Sequence, residues 1–123
     1  SPACLAIEVI VNTSVPSGYY SLQQTRSIFS MRQRFWPDGQ KIHVYVLPDN
    51  NDYHRQFTKT KLNMFPHQFR RIWDRLIFSG TGQAPSTVKS IEEMMYQVSS
   101  TPGAIGYSDK TPAEDNIRIF AYE

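Results

Sequence analysis

The chain has little with which to staple itself, cross a membrane or hold a metal. A single cysteine, Cys4, in 123 residues rules out an internal disulfide. Its place in an apolar, strand-like run reads as that of a small buried hydrophobe. No apolar run approaches the ~20 residues that span a bilayer. The longest, residues 4–11, is interrupted by Glu8. Charge of one sign is also scarce: 13 Lys and Arg against 11 Asp and Glu leave a net +2, a weak basis for a polyanion partner. The three histidines, His43, His54 and His67, fall on three different elements with no ligand-type spacing. They read as scattered surface residues, and no metal site is expected. No Ser, Cys or Thr stands in a nucleophile turn with a base nearby, so catalytic residues are expected to be absent and no cofactor is implied. There is no internal repeat, low-complexity stretch or linker. The length suffices for one core and not two, which predicts a single domain over 1–123.

What is present is an alternation of strand and helix signals. Residues 5–11 are β-branched and mostly apolar. Residues 41–47 alternate, with Ile42, Val44 and Val46 on one side and Pro48 as the stop. Residues 103–107 and 116–122 read as two closing strands, joined by a turn over 109–115 that contains Pro112. Ser21 with Gln24 forms a capping box ahead of Leu22, Thr25, Ile28 and Phe29. Asp49 and Asn50 sit where an N-cap is wanted for a helix over about 51–62. Pro66 opens a further helix, whose Phe69, Ile72, Trp73, Leu76 and Ile77 fall at i, i+3, i+4, i+7 and i+8. This predicts that Trp73 and Leu76 are both buried. Gly80 suits its left-handed C-terminal cap. Ser90 and Glu93 precede Ile91, Met94, Met95 and Val98, again at helical spacing. The resulting order, β-α-β-α-α-α-β-β, predicts an α/β fold: a mixed β-sheet flanked by helices, closed by a final hairpin.

Two loops could carry anion chemistry. Ser79-Gly80-Thr81-Gly82 is glycine-rich, but it follows a helix and runs into Pro85, where phosphate loops follow a strand. A helix cap and turn is the simpler reading. Residues 48–53 leave a strand and enter a helix N-terminus, where free amides and the helix dipole favour an anion. The carboxylates of Asp49 and Asp52 oppose this, and cap the helix themselves in the simplest reading. Arg32 and Arg34 beside Phe35 and Trp36, and Arg70, Arg71 and Arg75 around Trp73, have the composition of a stacking nucleic-acid surface. Trp73 belongs to an apolar helix face, however, and the arginines read as its solvated flanks. No nucleic-acid partner is expected.

Three stretches resemble one family. Trp36-Pro37-Asp38-Gly39-Gln40 after a capped helix, residues 73–80, and above all Ser100-Thr101-Pro102-Gly103-Ala104-Ile105-Gly106-Tyr107 resemble the periplasmic phosphate-binding proteins of bacterial transporters. The resemblance runs from Ala6 onward. It implies a single lobe of a type 2 periplasmic-binding-protein fold, exported and periplasmic, without enzymatic activity or direct membrane insertion. The Ser1-Pro2-Ala3 start is compatible with a mature chain whose signal peptide has been removed. In the family the ligand is gripped by a loop of the form Arg-x-Asp-Gly-Ser-Gly-Thr, so the resemblance points to Asp49, Asn50, Asn51, Asp52 and Tyr53 as ligand-binding residues. Asp49 matches the family aspartate. Leu47, Asn51, Asp52 and Tyr53 replace the arginine, the serine, the second glycine and the threonine. An arginine contact and two hydroxyl donors are thereby lost. The expectation is a solute-binding-protein-like domain that is no tight phosphate binder, with a small anion or other small ligand and a periplasmic or membrane-associated protein as its partners. The alternatives are a protein-interaction or sensor-input module without a small ligand, for which Tyr19, Tyr20, Phe35, Trp36 and Tyr53 offer contact surface, and a true anion-binding transport component.

Overall fold

The computed structural model describes residues 7–18, 20–80, 82–110 and 116–120. The expectations for Cys4, for the start of the first strand, for the end of the last, and for 111–115 of the closing turn lie outside them.

The elements in chain order are β1 (Glu8–Asn12), α1 (Leu22–Phe29), β2 (His43–Val46), α2 (Asp52–Lys61), α3 (Pro66–Ser79), β3 (Ser86–Thr87), α4 (Ile91–Ser100), β4 (Ala104–Ser108) and β5 (Ile117–Ile119). They form a five-stranded mixed sheet in the order β3-β2-β4-β1-β5. β2 runs parallel to both β3 and β4, while β1 is antiparallel to both β4 and β5. The four expected strands therefore share one sheet, as their patterns require. The closing hairpin does not exist: β1 lies between β4 and β5, with Ile10 opposite Gly106 on one side and Ile119 on the other. β3 carries no signal in the sequence, because two exposed polar residues show no period.

Helix ends follow their capping chemistry. Ser21 and Gln24 satisfy each other's backbone reciprocally at 3.0 and 2.8 Å. Ser90 Oγ accepts from the Glu93 amide at 3.1 Å. Pro66 opens α3, and Gly80 closes it with φ 70°.

β4 is buried on both faces. Gly106 faces α4 so closely that a Cβ would stand 2.5 Å from Met94 Sδ. Tyr107, on the other face, stacks on Phe57 of α2 with centroids 3.9 Å apart and lies beside Phe29 of α1. Gly103 has φ +80°, and a Cβ there would collide with the Lys41 carbonyl. The carbonyl of Gly103 accepts from Trp36 Nε1 at 2.9 Å, so the stretch from Gly103 to Tyr107 is held between α4, the Trp36 turn and α2, with no room for a side chain at either glycine.

α3 differs from its expected face. Trp73 is 1% exposed and donates through Nε1 to the Phe29 carbonyl at 2.9 Å, and Phe69 packs beside it. Leu76, by contrast, is only partly buried, and Ile77 and Phe78 are 50% and 86% exposed. The apolar period outlasts the burial: Phe69 and Trp73 are the residues of α3 that are fully buried, and both precede Leu76.

Candidate functional site

The expected ligand loop lies at the carboxyl end of β2. Pro48 has no amide to continue the strand, and the Asn51 amide turns back onto the Pro48 carbonyl at 2.9 Å. Asn51, not Asp49 or Asn50, is the N-cap of α2. Its Oδ1 accepts from the amides of Tyr53 at 2.8 Å and His54 at 3.3 Å. An amide side chain one residue before the helix reaches these donors, which the earlier Asp49 does not contact.

The two carboxylates are committed elsewhere. Asp52 pairs with Arg55 one turn along α2. Asp49 receives both Nε and Nη2 of Arg70, from α3, at 2.8 and 3.1 Å. The same guanidinium reaches Asp74 Oδ1 at 3.2 Å and lies 5.4 Å from the Trp73 ring centroid. The hydrogen bonds to Asp49 hold the Arg70 pKa above its ordinary value. Asn50 is exposed on the turn, and Tyr53 is exposed on the first turn of α2.

Beneath the loop lies a buried trio absent from the sequence-based candidates. Tyr107 Oη accepts from the Leu47 amide at 2.7 Å and lies 2.6 Å from His54 Nδ1. A phenol has one proton to give, so the arrangement that uses it has Tyr107 donating to Nδ1, with the imidazole proton on Nε2. Nε2 is 4.0 Å from Asp49 Oδ1, too far for a hydrogen bond, and has no partner among the described residues. His54 is 0% exposed, which corrects its reading as a surface residue. Burial lowers its pKa to about 4, against the opposing pull of Asp49, so it is neutral at neutral pH. Burial also raises the Tyr107 pKa. The local signal for His54 was its phase with Phe57 and Thr58, at i, i+3 and i+4, masked by the polar character of the rest of α2. The signal for Tyr107 was its place in a fully buried strand, where a phenol must find a partner.

Outside the loop, the first turns of α2 and α4 border a cleft of about 250 Å³ lined by Asn51, Tyr53, Lys89, Ser90, Asp109 and Lys110, among others. Lys110 pairs with Glu92 across it at 2.9 Å. The cleft lies beyond the carboxyl ends of parallel strands, where open α/β sheets commonly take ligands. The arrangement positions polar groups of both signs. Four of the amides here, those of Leu47, Asn51, Tyr53 and His54, donate within the fold. The glycine-rich residues Gly80 and Gly82 are not part of this cleft. Gly80 is the cap of α3, as the simpler reading had it.

The fold is that of one lobe of known phosphate-binding proteins. PstS from Borrelia burgdorferi superposes with a TM-score of 0.70 at 18% identity, covering 95% of this chain and 47% of that one. An ABC-type phosphate transport receptor from Vibrio cholerae gives 0.68 at 14% identity, covering 95% of this chain and 46% of that one. The chain thus spans less than half the length of either. At these identities the likeness is one of fold, and the expected α/β sheet of a single periplasmic-binding-protein lobe is the one observed. No family model matches the sequence. A 76-residue stretch is 34% identical to part of an ATP-dependent helicase/nuclease of Limosilactobacillus reuteri subsp. reuteri, covering 59% of this chain but 6% of that protein. So small a share carries nothing of that enzyme's activity across.

Proposed function

We propose that residues 1–123 act as one exported, periplasmic, non-enzymatic solute-binding lobe that meets its ligand at the 49–53 loop and the cleft beside it. The ligand is a small anion or other small molecule, but not inorganic phosphate held at transporter affinity. The observation that carries this reading is the occupied state of the loop. Asn51 consumes the amides of Tyr53 and His54, Arg70 consumes Asp49, and Asp52 stands exposed at the mouth of the helix. A phosphate dianion would meet two carboxylates and few donors, and each missing charge-assisted hydrogen bond weakens binding by about 1.5–3 kcal/mol.

Isothermal titration calorimetry in phosphate-free buffer near neutral pH tests this. The expected outcome is no binding at micromolar phosphate. Micromolar affinity that is lost in Asn51→Ala would sink the reading and restore a true phosphate receptor. A second reading, a lobe that works through a protein partner, is favoured by one observation: Ile77 and Phe78 stand exposed side by side at the end of α3.

A further inference from the structure

A second cavity, of about 380 Å³, lies at the other end of β2, away from the loop. One wall carries Arg34, Lys41 and His43. Gly80, Gly82 and Ser86, from the end of α3 onward, line the cavity as well. The topology opens this space. β3 pairs with β2 only at Tyr45 and Val46, so the edge of β2 before Tyr45 faces the cavity instead of a strand.

The electrostatics are one-sided. No Asp or Glu lines the cavity among the described residues, although the whole chain is nearly balanced at 13 basic to 11 acidic. Lys41 is exposed and in no ion pair among the described residues, in contrast to Arg55, Arg70 and Lys110. Gly80 and Gly82 bring backbone without side chains to the same cavity, which lets amides approach an anion. Gly82 lies against Arg34 so closely that a Cβ would stand 2.5 Å from Nη2. Met31, which follows the end of α1, lines the cavity in a left-handed conformation, φ 69°. Ala84 adds apolar surface beside it. The volume falls within the ~300–1,000 Å³ of small-molecule sites, more than a bare ion needs.

We propose that this cavity is a second binding site, for a small organic oxyanion with an apolar body and carboxylate or phosphate groups. The apolar body lies against Met31 and Ala84, and the charged groups meet Lys41 and His43. The site is independent of the reading given above for the loop, and the two fail separately.

The test is an amide NMR titration of the protein with isophthalate, using the neutral isophthalamide as control, in phosphate-free buffer. Saturable shifts are expected at residues 41–44 and 82–86, and none with the diamide. Lys41→Glu should weaken binding by at least about tenfold, as losing one charge-assisted contact requires. Lys41→Arg should retain it. Lys41 is exposed, so both variants should fold, which their amide spectra report directly. No saturable response up to millimolar isophthalate, an equal response to the diamide, unchanged binding in Lys41→Glu, or shifts centred on 51–54 would each overturn the proposal.

Discussion

At the carboxyl end of β2 the loop's two carboxylates are matched within the fold, Asp49 by Arg70 and Asp52 by Arg55, and the Leu47 and Tyr53 amides are bonded to Tyr107 and Asn51. At the amino end, Lys41 and His43 face a cavity that holds no carboxylate among the described residues. The two ends are only a few residues apart on one strand. Their difference separates polar groups that build the structure from polar groups whose field is still available to something else. Likeness to a ligand loop marks out the first end. Unmatched charge marks out the second.

The sharpest way to break this contrast is to cut the polar tie beneath the loop. Tyr107→Phe would leave the Leu47 amide and His54 Nδ1 both buried and unpaired. At about 1–3 kcal/mol for each orphaned group, the expected loss of stability is about 4 kcal/mol in denaturant unfolding. A loss under about 1 kcal/mol would mean that the carboxyl end is not held in this way.

The next effect concerns pH. The His54 pKa is lowered to about 4 in the folded protein, from about 6.5 when unfolded. Below pH 6.5 the unfolded chain takes up a proton that the folded chain refuses. Stability is therefore full above about 6.5 and falls as pH drops toward 4, by about 3 kcal/mol from this group. His54→Asn keeps an acceptor near the Nδ1 position and does not titrate. The difference in unfolding free energy between the two proteins should narrow across that window, and a difference constant with pH would refute the assignment. The smallest effect sharpens the contrast from the other side: Lys41→Gln should leave the unfolding free energy unchanged within about 0.5 kcal/mol. A larger loss would make the basic wall structural as well.

Legibility in the sequence followed the range of the forces involved. The Ser21–Gln24 box, Pro66, Gly80 and the alternation of β2 act within a few residues, and each is found where its chemistry put it. The neighbour of a strand is decided across the whole chain, which is why β1 displaced the expected hairpin and why the two residues of β3 left no trace. Leu76 has the right phase for burial and is only partly covered, beside Gly82. At the site, the positions of Asp49 to Tyr53 beyond a strand end were legible. Their saturation was not, because it depends on Arg70 from α3 and on Tyr107 from β4.

The position of β1 between β4 and β5 also orders events in time. In chain order its partners run from Ile105, opposite Val11, to Ile119, opposite Ile10. While the polypeptide is being synthesised, this apolar strand emerges before any of the backbone that will pair with it. All four helices are made in the interval. Such non-local closure slows folding, and it leaves an unpaired strand exposed to other chains in the meantime. A fragment ending with α4 would retain β1 and every helix, yet give β1 no strand to join.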